Sequence, residues 1–330
     1  LGEKVLFFGD FGIDDIFALL YAFYSVEIDV IGIVADYGNV AKHDAVRNAR
    51  YLDEICKEAS IPIIGGAEMP LTGRKPKFYP KIHGLGGLGP INMPKTPVSN
   101  VENIYEIIPL IEKYGEQLTI VSVGRLTSLA AAFIFFPSLM KTIKQFYIMG
   151  GAFNFPGNVT PVAEANIYGD PFAANVVFTY ASAKINIFPL NVTQKATIPP
   201  QIMDYLGIAF EENGKEAVNM LKLMYDFYSQ AYKKMIPSMI GGAPFHDLLV
   251  MWAVEKPENV KFKEVPVKVI TTSGAGYGQT IGDFRKRVDT VDYPIHRVAS
   301  DFNYASYINS FVETFMTGIN SKSHVTDTNL

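Results

Sequence analysis

One cysteine in 330 residues, Cys56, excludes an intrachain disulfide and a cysteine-built zinc site. Charge of one sign is missing too. The 29 Lys and Arg nearly balance the 33 Asp and Glu, for a net charge of −4. No basic tract offers a surface to a nucleic acid polymer. No apolar run approaches the ~20 residues of a membrane-spanning helix, so no membrane partner is expected. The first residues enter a strand-like run directly, without the basic and apolar regions of a signal peptide, and a cytoplasmic chain is expected. In that setting the tripeptides Asn158-Val-Thr and Asn191-Val-Thr read as turn residues. What is present, 48% hydrophobic and 19% charged residues, is the composition of a compact domain rather than a disordered chain.

Short β-branched runs alternate with helical patterns over the first two-thirds of the chain. "KVLFF" precedes "DDIFALLYAFY", "IDVIGIVA" precedes "AVRNARYLDEIC", and "IPII" follows. "QLTIVSV" precedes "LTSLAAAFIFF"; "IKQFYIMGG" precedes "DPFAANVVFTYA", with "KINIFP" after it. Continuous apolar strands joined through helices predict an α/β fold: an open, mostly parallel Rossmann-like sheet with helices on both faces. Between about residues 65 and 100 lies a Gly/Pro-rich segment too long for an idle connection. The last third is expected to hold a helix over "GKEAVNMLKLMYDFYSQAYKKM", short strands in "VPVKVI", "GQTIGDF" and "YPIHRV", and a final helix. No linker composition or internal repeat divides the chain, which reads as one domain, 1–330, with a polar, frayed tail from about 318.

Three carboxylates, Asp10, Asp14 and Asp15, crowd the junction "GDFGIDDIFALL" between the first strand and its helix. Ligands of open parallel sheets bind at that end of a strand. Asp14 and Asp15 also suit helix capping, whereas Asp10, set back in the turn, does not. Oxygen ligands of this kind favour a hard cation, calcium or magnesium. Taken alone, Asp247 in "PFHDLL" reads as a helix cap and His83 as a loop histidine. Trp252, Cys56 and most aromatics at helical spacing, Tyr225, Tyr228 and Tyr232 among them, read as core, although those three tyrosines could instead line a pocket.

The run resembles the Asp-x-Asp-x-Gly-x-Asp-Asp signature of the nucleoside hydrolases, the calcium-dependent inosine–uridine-preferring enzymes. Asp10, Asp14 and Asp15 occupy its last three acidic positions. Further similar motifs follow in the family's order: "YGNV", "IHGLGGLG", "VGRLTSLA", "MGGAFNFPGNVTPVAEANIYGDP", "PFHDLL" and "TTSGAGYGQTIGDFR". The resemblance implies hydrolysis of the N-glycosidic bond of ribonucleosides to ribose and free base, by a homodimer or homotetramer that uses Ca2+. It implies Asp10, Asp15, Asp247 and the Val123 carbonyl as calcium ligands, with Asp10 as general base. By the same resemblance, His246 serves the leaving base and Asn39 assists. Asp14, Asn158, Glu164 and Asn166 hold ribose hydroxyls, and His83 lies near the base.

The chain departs from that pattern at several positions. Phe8 stands at the first acidic position, where it would remove a carboxylate from around the metal, and Phe11 replaces a proline. Ala165 stands for an aromatic, Ser128 for Asn, and Asn191 and Gln194 for charged residues. A non-catalytic ribonucleoside-binding homologue is the alternative these changes suggest. A magnesium phosphohydrolase would need a phosphate-binding lysine or nest near Asp10, and the sequence has none.

Overall fold

A computed structural model describes residues 2–56, 61–92, 103–211, 216–238, 241–285 and 292–323. Its strands are β1 (Glu3–Gly9), β2 (Ile28–Ala35), β3 (Ile63–Gly65), β4 (Leu118–Ser122) and β5 (Gln145–Met149). They continue with β6 (Asn186–Phe188), β7 (Val260–Val269), β8 (Thr280–Gly282) and β9 (Ile295–Phe302). All nine join one sheet in the order β3-β2-β1-β4-β5-β6-β9-β7-β8. Pairing is parallel from β3 through β9; only β7 and β8, at one edge, pair antiparallel. This is the mostly parallel α/β sheet that the alternation of apolar runs predicts.

The strand period of two divides β1 between two cores. Val5 and Phe7 belong to one apolar cluster, Leu6 and Phe8 to the other. The first core is closed by α1 (Ile13–Tyr24), Glu216–Met235, His246–Glu255 and Tyr304–Ser323. The second is closed by Ile107–Tyr114, Thr127–Phe135 and Pro171–Tyr180. Helix α1 is buried nearly all round because it lies between the sheet and two further helices. Truncating its Leu20 to Ala would cost about 2–5 kcal/mol, since no surface is near enough for the site to collapse onto.

The helices that follow β1 and β4 pack on opposite faces, although the two strands are neighbours. Their carboxyl ends therefore open a crevice, the topological switch point where such sheets bind ligands. The long connection after β3 lies over this end: its described part, 66–92, contains the short helix Pro80–His83, while 93–100 fall outside the described residues. Two expectations are revised by packing. β7 runs for ten residues rather than the six of "VPVKVI", because it pairs along most of β9. The final helix carries on to Ser323, so the polar stretch begins inside a helix; 324–330 lie outside the described residues. No helix among the described residues is long and apolar enough to cross a membrane.

Candidate active site

The turn after β1 folds its carboxylates onto its own backbone. Asp15, at the third position of α1, accepts from the Gly12 N–H at 2.9 Å and the Asp10 N–H at 3.0 Å, so it does cap the turn. Asp14 does not cap α1. Its Oδ2 takes the Tyr228 hydroxyl at 3.4 Å, while its buried Oδ1 has no hydrogen-bond partner. Asp247 lies in the first turn of His246–Glu255, whose N-cap is Phe245, so Asp247 is not the cap residue that the sequence reading made it. One ligand atom each from Asp14, Asp15 and Asp247 lie within 4.8 Å of one another. Asp10 stands beside this trio with each oxygen held by Asn39, from its N–H at 2.8 Å and its Nδ2 at 2.8 Å. A Cβ on Gly38 would stand 1.7 Å from Asp10 Oδ2, so only glycine admits this approach.

Burial and mutual repulsion set the protonation of the group. Burial first, and the Asp10 charge next, push Asp14 up to about 7; burial and Asp14 do the same to Asp15. Burial, then three neighbouring carboxylates, push Asp247 well above the usual range, and Asp10 also rises, opposed by the Arg125 charge. Acids buried together need a counter-charge or a proton. His83 does not supply one. Its Nδ1, 3.8 Å from Asp14, accepts the Ile13 N–H at 3.0 Å, and burial lowers its pKa to about 3, so the ring is neutral. A hard cation fits: the donors are carboxylate oxygens, one is orphaned, and their spacing matches the span of a calcium shell of about 2.3–2.6 Å radius.

Above the carboxylates opens a cavity of about 360 Å³. Asp14, Asn39, His83, Val123, Asn158, Glu164, Asn166, His246 and Asp247 all line it; Asp10 and Asp15 lie behind that lining. Several of these polar groups are already engaged. The Val123 carbonyl accepts Asn166 Nδ2 at 2.6 Å and keeps its second lone pair. Glu164 caps the helix Ala165–Gly169 and also accepts the Gly151 N–H, and Asn158 Oδ1 accepts the Ala165 N–H at 2.9 Å. His246 bridges two hydroxyls, Thr193 at 2.7 Å and Tyr232 at 3.0 Å, and burial lowers its pKa to about 4.

Two tyrosines correct the sequence reading. Tyr228 and Tyr232 line the cavity, whereas Tyr225 packs in the core with its hydroxyl on the Ile198 carbonyl. Tyr79, Met149 and Met235, unremarked in the sequence, also line it. A four-residue spacing puts Tyr228 and Tyr232 on one helix face, but which face meets a cavity is settled by helices distant in sequence.

The comparisons bear on this geometry. The family profile described as inosine-uridine preferring nucleoside hydrolase matches residues 5–309. The chain belongs to that family. It is 35% identical over 286 residues to uridine nucleosidase 1 of Arabidopsis thaliana, covering 85% of this chain and 82% of that protein. It is 31% identical over 287 residues to the inosine-uridine preferring nucleoside hydrolase of Crithidia fasciculata, covering 86% and 88%. Among solved structures, the purine-preferring ribonucleoside hydrolase from Gardnerella vaginalis superposes with a TM-score of 0.85 at 30% identity, covering 96% and 98%.

Within the nucleoside hydrolase family the departures of this chain acquire places. Phe8 points into the second core and does not line the cavity, so its ring leaves the carboxylate site open. Phe11 has φ of 52°, left-handed backbone that proline cannot adopt. Ala165 and Gln194 line the cavity. Asn191 is not a turn residue: it lies in the helix Leu190–Thr193 and latches Phe153 by two bonds, at 3.0 and 2.8 Å. Ser128 donates to the buried Asp36 at 2.5 Å.

Proposed function

We propose that this nucleoside hydrolase cleaves the N-glycosidic bond of ribonucleosides to ribose and free base, and that residues 1–330 form one catalytic domain. The observation that carries the reading is the buried trio Asp14, Asp15 and Asp247, with an orphaned oxygen, beneath a cavity of nucleoside size. By the family resemblance Asp10, Asp15, Asp247 and the Val123 carbonyl would hold calcium, and Asp14, which lies within 4.8 Å of Asp15 and Asp247, would be a further ligand. When bound, the ion supplies a Lewis-acid grip on vicinal sugar hydroxyls and a lower pKa for water at the site.

The chain's own residues do the rest. Asp10 keeps a free lone pair on each oxygen after accepting from Asn39, and takes the proton of the attacking water. The surrounding carboxylates favour the positive charge that grows on the ribosyl ring as the bond breaks. Asn158, Glu164 and Asn166 bind the remaining sugar hydroxyls on one wall, and Asn39 steadies Asp10. The base lies across the cavity toward His83, Tyr228 and Tyr232. His246 is neutral at pH 7, so it assists departure by donating a hydrogen bond. That duty needs the tautomer with the ring proton on Nε2, beside Tyr232, and the Thr193 hydroxyl donating to Nδ1.

The test is release of reducing sugar from a panel of ribonucleosides, with calcium and with excess chelator. Ribose release that chelation stops and calcium restores is expected. Binding of nucleosides without release overturns catalysis, and turnover indifferent to chelator overturns the metal. A homodimer or homotetramer completes the proposal; a monomer by light scattering refutes that part.

A further inference from the structure

Arg125, in the segment "VGRLTSLA", has entered so far only as a charge that opposes the rise of the Asp10 pKa. Arg125 is only 4% exposed. A guanidinium is kept out of water where rigid partners hold its planar fork. Its Nη2 donates to the Lys77 carbonyl at 2.6 Å, and the guanidinium carbon lies 4.7 Å from the centre of the Tyr37 ring. Gly169 leaves room for it: a Cβ there would come within 2.3 Å of Nε.

The segment so gripped is a wall of the cavity. Tyr79 lines it, and two residues past Lys77 the Tyr79 N–H donates to the Asn39 carbonyl at 3.0 Å. Asn39 in turn holds both oxygens of Asp10, while His83, four residues beyond Tyr79, accepts the Ile13 N–H at the start of α1. A continuous line of bonds thus runs from the guanidinium through the wall to the Asp10 turn. We propose that Arg125 is a positioning residue, which fixes wall residues 77–83 against Asn39 and so keeps Asp10 and the wall in register. It touches no substrate, and its kinetic consequence rests on the hydrolase reading.

Arg125→Met and Arg125→Lys, compared with the wild-type chain, test it by two readouts. Hydrogen exchange over 70–83 reads the wall directly, and kcat and KM on a ribonucleoside and on p-nitrophenyl riboside read its effect. Arg125→Met should exchange faster over that segment. Its kcat should fall by roughly tenfold to a hundredfold on both substrates, because small misplacements of a reacting group are costly. Arg125→Lys, which keeps the charge and one donor, should recover part of the rate. Unchanged exchange with unchanged kcat and KM in Arg125→Met overturns the proposal, as does a lysine variant no better than methionine in both readouts. If Arg125→Met melts below the assay temperature, Gly169→Ala, whose Cβ would displace Nε, carries the test, with faster exchange and lower kcat expected and wild-type behaviour in both overturning it. A wild-type chain that releases no ribose sinks the hydrolase reading, while the exchange data still decide the role of Arg125 in the wall.

Discussion

Two buried carboxylates near the switch point, Asp170 and Asp14, are almost equally hidden from water, at 0% and 5% exposure. They live in opposite surroundings. Asp170 meets donors only: the Leu71 N–H and Thr127 hydroxyl on one oxygen, and the Ala173 N–H on the other. Asp14 meets other acids, has an orphaned oxygen and faces a cavity. Burial alone therefore separates nothing. An acid whose lone pairs are filled by the backbone holds a fold together, whereas an acid crowded by acids is kept because something else binds there. The buried histidines divide in the same way. His296 has both ring nitrogens on backbone groups, Ile185 N–H and the Phe178 carbonyl, whereas His246 sits between two hydroxyls at the cavity.

The contrast breaks if the two kinds of acid respond alike. Asp10→Ala is expected to lower kcat by about 10³-fold or more, at the upper range for loss of a general base, with the melting temperature held or raised because repulsion is relieved. Asp170→Ala should do the reverse. Losing a buried cap and its partners costs about 2–4 kcal/mol of stability, while the remaining folded protein keeps its turnover. Steady-state rates and melting curves on both variants decide; near-wild-type kcat in Asp10→Ala removes the base assignment. The next effect in size belongs to His246→Ala. It should slow ribonucleosides by about 10²-fold but p-nitrophenyl riboside much less, since an activated aglycone departs with little help. Equal losses on the two substrates would free His246 of that duty.

The fold was legible because a parallel sheet is written locally. Runs such as "IDVIGIVA" are apolar without alternation, and that run is β2 from end to end. The acidic turn was legible for a similar reason, since Asp10, Asp14 and Asp15 are close in the chain before they are close in space. Less could be read where a partner arrives from far away. The sequence does not reveal that Asp10 is held by Asn39, or that Asp14 rather than Asp10 shares the tight cluster with Asp247. Nor does it place Arg125 against a wall that begins 48 positions earlier in the chain. Phe8 is the instructive case. Its position in the motif suggests a site residue, but its parity along β1 sends the ring to the other core.

A smaller effect lies in pH. Asp14 and Asp15 titrate near 7 when folded and near 3.8 when unfolded. Between those values the folded chain holds more protons, so the stability they contribute is complete below about 4 and is lost as pH rises through 7. The metal-free protein should therefore melt progressively lower over that window. Calcium, bound as proposed, would take the place of those protons and should raise the melting temperature most at and above pH 7. A flat profile in chelator would show that the carboxylates find their counter-charge within the protein.

The smallest expected effect separates neighbours on one helix. Tyr225 and Tyr232 both lie in Glu216–Met235 and both donate or accept one good hydrogen bond, to the Ile198 carbonyl at 2.7 Å and with His246 at 3.0 Å. Tyr225→Phe deprives a buried carbonyl of its donor and should cost about 1 kcal/mol of stability, with kcat and KM unmoved. Tyr232→Phe removes a hydroxyl that faces the cavity and should change kcat on ribonucleosides more than it changes the melting temperature. A kinetic change in Tyr225→Phe as large as that in Tyr232→Phe would mean that the helix moves as a unit, and that cavity-facing and core-facing tyrosines cannot be told apart by the groups they touch.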